Sequence, residues 1–204
     1  MRRQQAERSV STQRAIMAAA SDLFAEHGYE RTSIDQIADR AGVSKGALYH
    51  HYRDKIEVLA AVYTDLCHEV SGRLLGVAVP GADPVEVLKA GCRLYLEVCT
   101  ERTYRQIALI DAPAALGWAR WRDIDAEDGG FGLLRRGLAA AASAGALPSA
   151  AIEERAHLLI AALTEAALLI ARSPAPDETR ATTTALIERQ LEDSRTPRLR
   201  AETA

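Results

Sequence analysis

The chain has 204 residues, of which 26% are charged and 48% hydrophobic, and its formal net charge is −3. This length allows one large or two small domains, with a core that folds without disulfides or metals. A pI of about 6.0 excludes a general positive field, so any binding of nucleic acid must rely on a few placed contacts.

The cysteines Cys67, Cys92 and Cys99 are odd in number and lack CxxC spacing. We therefore expect neither a disulfide framework nor a zinc site. Two interpretations remain open for them, a thiol sensor of oxidants or electrophiles and a small buried hydrophobe.

The first eleven residues are polar and contain arginine without an apolar core, so they do not resemble a signal peptide. Residues 1–11 are predicted to form a flexible arm, which either lies along DNA or has no role. The default location is cytoplasmic. A first helix follows from Arg14, with apolar residues at i, i+3 and i+4, and ends at Gly28.

Residues 32–55, TSIDQIADRAGVSKGALYHHYRDK, predict two short helices joined by a tight turn and followed by the start of a third. Ser33 and Gln36 have the spacing of a capping box, and Gly42 supplies the left-handed backbone of the reversal. Ser44 opens the second helix. Its outward residues can enter a major groove end-first, because its N-terminus is built from small side chains.

Lys55 follows Asp54, which with Glu57 predicts another helix cap. The lysine then lies in the first turn of a helix, where the macrodipole disfavours a cation. A phosphate bound at this helix end would reverse that preference, whereas the alternative is a solvated surface lysine.

The remaining chain predicts helices only. A long fourth helix precedes the breaks at Pro80 and Pro84, a fifth helix covers 84–100, and a sixth covers 102–116 with a kink at Pro113. No strand alternation, dinucleotide fingerprint, P-loop or fixed-period repeat is present in the sequence. The predicted fold class is all-α.

The segment 152–172 is apolar on nearly all sides over its second half, so we expect both faces to be covered. A membrane span is the competing interpretation, but Glu165, Thr164 and His157 interrupt the apolar run. A second apolar stripe follows in 178–192. These two helices, meeting their copies about a twofold axis, predict a four-helix dimer interface. The predicted interface residues are Ile152, Leu159, Leu163, Leu169, Leu186 and Leu191.

The stretch 14–63, centred on FAEHGYERTSIDQIADRAGVSKGALYHHYRDKIEVL, resembles the N-terminal domain of the TetR/AcrR transcriptional regulators. The resemblance implies a three-helix, helix-turn-helix DNA-binding domain. It implies that phosphates are held by Thr32, Ser44, Lys45, Tyr49, His51 and Lys55. It implies that the positions facing the bases are Lys45, Gly46, Ala47 and His50. We add Ser33, at the cap of the first of the two helices, to this expected DNA-binding surface.

The resemblance also implies a C-terminal domain that dimerises through its last two helices and encloses a small-molecule pocket. Candidate lining residues are Tyr95, Cys99, Tyr104, Asp111, Trp118, Trp121, Phe131, His157 and Glu165. The alternative for each aromatic residue is ordinary core packing. We place the DNA-binding domain at 12–58, the ligand-binding and dimerisation domain at 59–194, and a flexible tail at 195–204.

The predicted function is that of a homodimeric repressor, released from palindromic double-stranded DNA by a small apolar or aromatic effector. No cofactor, metal or membrane partner is expected, and no enzyme activity. One alternative is a transcriptional activator of the same architecture. The other is a helical carrier or enzyme with a vestigial DNA-binding domain.

Overall fold

The computed structural model describes residues 2–196, with side chains from residue 8 onward. The helices found over this range are α1 (Arg2–His27), α2 (Ile34–Ala41), α3 (Lys45–His51), α4 (Lys55–Leu75), α5 (Pro84–Thr100), α6 (Arg102–Tyr104), α7 (Ala112–Leu116), α8 (Trp118–Asp128), α9 (Gly130–Ser143), α10 (Ile152–Arg172) and α11 (Pro176–Asp193). A π-helical segment, Arg105–Asp111, joins α6 to α7. The described residues contain no strand, which confirms the predicted all-α fold.

Helix α1 begins at Arg2, although the sequence had predicted a flexible arm as far as residue 11. The backbone of residues 2–11 is thus helical, which fits a stretch that has no glycine or proline and is rich in residues that favour a helix. The predicted tail starts at residue 195, and its residues 197–204 lie outside the described range.

The segment from Arg102 to Leu116 is helical as predicted. The kink predicted at Pro113 is instead a π-helical turn in the residues before it. The backbone N–H of Ala112 bonds to the carbonyl of Ile107, the five-residue spacing of a π-helix. Proline has no N–H to offer and its ring crowds the carbonyl of the preceding turn. The widened turn accommodates both effects.

The chain divides into two compact units. The first unit consists of Met1–Glu69 and Glu101–Gly129, and the second of Val70–Thr100 and Gly130–Ala204. This division differs from the predicted boundary between residues 58 and 59. Helix α4 continues past that boundary, and helices α6 to α8 belong with the N-terminal residues.

In the first unit, α1 packs against α2, α3 and α6, and α2 packs against α3. The core that holds them together consists of buried side chains from α1 to α4 and from the π-helical segment. Its members are Ile16, Ala19, Ala20, Leu23, Phe24, Tyr29, Ile37, Ala38, Leu48, Tyr52, Val58, Leu59, Val62 and Ile107. This packing fixes the position of α3.

In the second unit, α10 packs against α5, α9 and α11, and α5 also packs against α9 and α11. Burial on several sides explains why α10 is so apolar. Within the described range, no helix is both long and apolar enough to cross a membrane.

Candidate functional site

The α2–turn–α3 segment has the geometry that its sequence predicted. Ser33 and Gln36 form the capping box, with the Gln36 N–H donating to Ser33 Oγ at 3.2 Å and the Ser33 N–H donating to Gln36 Oε1 at 2.8 Å. Gly42 takes φ 66° at the end of α2. A left-handed residue is needed here, and glycine adopts it without strain.

Helix α3 buries one side chain and exposes most of the others. Ser44 Oγ accepts the Ala47 N–H at 3.1 Å and so caps the helix. Leu48 is completely buried in the first-unit core, whereas Lys45, Gly46, Tyr49 and His50 are exposed. The helix therefore presents a polar face of the kind that enters a major groove.

Lys45 is paired across the turn with Asp35, at 2.6 Å between Nζ and Oδ1. The hydrogen bond that Lys45 donates to Asp35 is the main cause of the raised pKa of Lys45. Both side chains are more than half exposed, and an exposed pair of this kind contributes little to stability. The ammonium can therefore exchange Asp35 for a phosphate oxygen at little cost.

Thr32 does not lie where the resemblance implied. Its side chain is 1% exposed, and its hydroxyl donates to the carbonyls of Gly28 at 2.9 Å and Leu23 at 3.3 Å. Its backbone N–H bonds to Tyr29 O. The expected phosphate contact is corrected, because both donors of Thr32 are already used to close the loop between α1 and α2.

Lys55 is also engaged within the protein. Its Nζ donates to the carbonyls of Tyr29 at 2.8 Å and Thr32 at 2.9 Å and lies 4.0 Å from the centre of the Tyr29 ring. The Asp54 cap behind it is present, with the Glu57 N–H bonded to Oδ1 at 2.9 Å. Lys55 thus joins the start of α4 to the α1–α2 loop. This structural role uses two of its three ammonium donors, and its phosphate contact stays a prediction.

Asp111, predicted to line a ligand pocket, holds the same loop from the other side. Its Oδ2 accepts the Tyr29 N–H at 2.9 Å, and its Oδ1 accepts Gln106 Nε2 at 3.0 Å. Burial raises the pKa of Asp111, although these two hydrogen bonds oppose the rise. The carboxylate connects the π-helical segment to the DNA-binding half of the first unit.

Three further pocket candidates belong to the first unit. Tyr104 is buried, and Trp121 is buried with its Nε1 donating to Ala108 O at 2.9 Å. The Trp121 ring also lies against the buried Arg122, which pairs with Asp125 at 2.8 Å. Trp118 is 63% exposed. These three residues belong to the first unit, whereas Tyr95 belongs to the second.

The second unit contains a cavity of about 390 Å³, hereafter the second-unit cavity. Its lining residues come from the end of α4 and from α5, α9 and α10. They are Leu74, Leu75, Ala78, Val87, Leu88, Gly91, Cys92, Tyr95, Gly130, Leu133, Leu134, Arg136, Gly137, Ala140, Ile160 and Leu163. Of the nine predicted pocket residues, all within the described range, only Tyr95 contributes to it.

The other second-unit candidates lie outside this lining. Cys99 is buried in the core, and His157 packs on Phe131 with ring centres 4.6 Å apart. Glu165 was expected to be buried, which is wrong: its side chain is 71% exposed and pairs with Arg172 at 3.3 Å. It lies on the outer face of α10.

The predicted dimer residues also separate into two groups. Leu159, Leu163 and Leu191 are at most 4% exposed, so they are corrected to core residues of the protomer. Ile152 is half-buried. Leu169 and Leu186 are 47% and 63% exposed and remain on the surface. Sequence periodicity identified apolar helices, but it did not distinguish their inner faces from their outer faces.

Sequence reasoning missed most of the cavity, including Gly91 and Arg136. One signal was available, since a glycine in the middle of α5 disfavours the helix and suggests a packing or functional reason. Most of the other lining residues are ordinary aliphatic residues, which look the same in a filled core and around a cavity.

Comparisons with known proteins agree with this architecture. The model of the tetR family of bacterial regulatory proteins matches residues 16–62. The tetracyclin repressor-like C-terminal domain matches residues 85–193, more than half of the chain. A crystal structure of a TetR-family transcriptional regulator from Pectobacterium atrosepticum is 30% identical, with a TM-score of 0.76, covering 94% of this chain and 97% of that one.

Two curated relatives match over the DNA-binding region. The transposon Tn10 TetC protein of Escherichia coli is 44% identical over 59 residues, which are 29% of this chain and 30% of that protein. The transcriptional activator FasR of Mycolicibacterium smegmatis is 49% identical over 47 residues, 23% of this chain and 22% of that protein. The match thus spans less than a third of either relative. Together with the two family matches and the helix-turn-helix geometry, these similarities show that the chain belongs to the TetR family of DNA-binding transcriptional regulators.

Proposed function

We propose that the protein is a homodimeric repressor that leaves its operator when a small molecule occupies the second-unit cavity. The observation that carries this proposal is the continuity of helix α4. Its first residue, Lys55, holds the loop before α2, and its last residues, Leu74 and Leu75, line the cavity. One helix therefore connects the candidate effector site to the DNA-binding elements.

DNA recognition is assigned to α3 and its flanks. After the correction of Thr32, the candidate phosphate contacts are Ser33, Ser44, Lys45, Tyr49 and His51, with Lys55 through its third ammonium donor. Gly46, Ala47 and His50 lie where bases are read, together with Lys45. Two copies of α3 in successive major grooves, about 34 to 36 Å apart, require a palindromic operator. Such a regulator acts in the cytoplasm, where the DNA is.

Dimerisation is assigned to the outer faces of α10 and α11. Leu158, Leu169 and Leu186 are 68%, 47% and 63% exposed. Apolar side chains exposed along two neighbouring helices are typical of an interface between copies. A twofold axis through this surface places four helices together.

Coupling between effector and operator follows from α4. A ligand that displaces the cavity end of this helix changes the position of its Lys55 end, and with it the α1–α2 loop. The effector then favours a conformation that fits the operator poorly. Linkage requires that operator DNA weaken the effector by the same factor.

A gel shift with the upstream intergenic DNA of the gene tests the proposal. We expect a specific complex with a palindromic segment, and we expect extracts of cell metabolites to dissociate it. A protein that binds no specific segment, or whose complex no extract component affects, contradicts the DNA-binding or the effector part respectively.

Activation is the second candidate function, favoured by the high local identity to an activator. A reporter gene fused to the bound promoter distinguishes activation from repression. Deleting the gene raises expression if the protein is a repressor and lowers expression if it is an activator.

A further inference from the structure

The second-unit cavity is apolar inside and polar only at its mouth. Leu88, Ile160 and Leu163 form its interior and are at most 6% exposed, whereas Leu75 at the mouth is 61% exposed. Arg136 lines the same mouth and is exposed. A molecule that fills this cavity must therefore have an apolar body and keep any charge at one end.

The interior offers few partners for a polar ligand group. Apart from Arg136 at the mouth, the lining residues that carry a polar side-chain atom are Tyr95 and Cys92. Burial raises the pKa of Cys92 to about 12, so the thiol is neutral. A charge or unmatched hydroxyl placed among the leucines would lose its hydration without replacement. The polar group of the ligand therefore belongs at the mouth.

Arg136 is the charged group available at that mouth. Among the described residues it makes no ion pair, whereas its neighbour Arg135 pairs with Glu153 at 3.7 Å. A guanidinium binds a carboxylate through two parallel hydrogen bonds, which gives both affinity and orientation. The position of Arg136 thus favours a ligand with an anionic end.

Gly91 shows that space in the cavity is kept open. A Cβ on Gly91 would meet nothing within 4 Å, whereas a Cβ on Gly130 would lie 2.6 Å from the Tyr95 ring and one on Gly137 would lie 2.8 Å from Leu88. Those two glycines permit close packing, but Gly91 does not. A mid-helix glycine costs about 1 kcal/mol relative to alanine, and here it leaves room that a side chain would fill.

We infer that the effector is an amphipathic monoanion, an aliphatic chain lying along Gly91 and Leu163 with its carboxylate bound by Arg136. An aliphatic chain suits this lining better than an aromatic ring, because Tyr95 is its single aromatic side chain and offers one ring contact. The inference rests on the proposed effector site, and it names the chemical class that the site selects.

Calorimetric titration with three probes of equal chain length, octanoate, 1-octanol and octylamine, tests this inference. Octanoate should bind wild type most tightly. Arg136→Gln should weaken octanoate about tenfold or more and leave octanol unchanged, since one charge-assisted pair is lost. The matched control Arg135→Gln, next in sequence but outside the lining, should bind octanoate as wild type does.

Gly91→Leu should abolish binding of both octanoate and octanol by filling the interior. Its control is Gly72→Leu, because Gly72 is also a helical glycine with nothing within 4 Å of an added Cβ but lies outside the cavity lining. Should Gly91→Leu fail to fold, Gly91→Ala is used, and it should still weaken octanoate while raising the unfolding temperature.

Three results would overturn the inference: no probe binds, octanol or octylamine binds as tightly as octanoate, or Arg136→Gln and Gly91→Leu bind octanoate as wild type does. A gel shift on the same preparations separates this from the proposed function. Operator binding without octanoate binding rejects the ligand class alone. If octanoate binds but no operator does, the proposed repressor function is rejected and the ligand class of the second-unit cavity is retained.

Discussion

Two lysines of the first unit, ten positions apart, differ in environment although both were predicted to hold phosphate. Lys45 is exposed beside Asp35 at the start of α3. Lys55 is half-buried, with its ammonium on two backbone carbonyls and against an aromatic ring. The first is available to a ligand, and the second stabilises the protein.

We expect Lys55→Ala to lower the free energy of unfolding by about 2 kcal/mol, since two charge-assisted hydrogen bonds are lost. The Thr32 carbonyl loses the donor that Lys55 provides, whereas the Tyr29 carbonyl keeps the Thr32 N–H. Urea unfolding measures this. Lys45→Ala is the matched variant, and its unfolding midpoint should equal that of wild type. The slope of its DNA affinity against salt concentration should fall by the amount expected for about one phosphate contact. If Lys55→Ala instead kept the wild-type unfolding midpoint and lowered the salt dependence of DNA binding, Lys55 would be a phosphate contact and not a stabilising residue.

Gly46 lies on the exposed face of α3, where an added Cβ would meet only Ser44 Oγ at 3.9 Å. Gly46→Ala should therefore fold normally and gain up to about 1 kcal/mol from helix propensity. Operator binding should nevertheless weaken, because the methyl group enters the space next to the bases. Gel shift and thermal unfolding are compared with Gly72→Ala, which should change stability only. Unaltered operator affinity in Gly46→Ala would remove Gly46 from the reading surface.

At the scale of elements, charged groups join the end of α11 to the start of α5 within the second unit. Arg195 donates to Asp83 Oδ2 at 3.0 Å and contacts Glu192 at 2.7 Å. Lys89 bonds to Glu192 at 2.6 Å. Asp83 also caps α5 by accepting the Val85 N–H at 2.8 Å.

This cluster predicts sensitivity to acid. The hydrogen bond from Arg195 is the main cause that lowers the pKa of Asp83 to about 2, and Lys89 is the main cause of the lowered pKa of Glu192. The folded state therefore binds fewer protons than the unfolded state. The stability that these two carboxylates contribute is complete above the unfolded pKa of about 4 and disappears as the pH falls towards 2.

Asp83→Asn tests the cluster, because asparagine keeps the helix cap but removes the ion pair. Urea unfolding across pH should show wild type more stable than the variant at pH 6, with the difference shrinking between about pH 4 and pH 2. Asp193→Asn, an exposed carboxylate at the same end of α11, serves as control. A difference that does not depend on pH would show that the ion pair contributes nothing.

At the scale of the whole molecule, the exposed leucines of α10 and α11 decide the proposed assembly. We expect a dimer at micromolar concentration, and Leu169→Asp or Leu186→Asp should give monomers, because a buried unpaired carboxylate is strongly unfavourable. Sedimentation velocity measures this. Val79→Asp, an exposed apolar position in the α4–α5 loop, should remain dimeric. Monomeric wild type that still binds a palindrome specifically would reject the interface.

The local structure of the DNA-binding region could be predicted from the sequence, because each feature depends on neighbouring residues. The Ser33–Gln36 box, the reversal at Gly42 and the Ser44 cap are formed within four residues. Helices α5 and α10 begin and end as predicted, since their apolar periodicity and flanking breakers are local signals. The motif also identified the family.

Tertiary structure alone decided what the predicted residues contact. Thr32, Lys55 and Asp111 are polar residues near the DNA-binding region or on a predicted helix, yet each is used to fasten the α1–α2 loop. Leu163 lines a cavity, whereas Leu169, six residues later on the same helix, faces outward. Helical periodicity shows that two residues share a face, but it does not show what packs against that face, because the partner comes from a distant part of the chain.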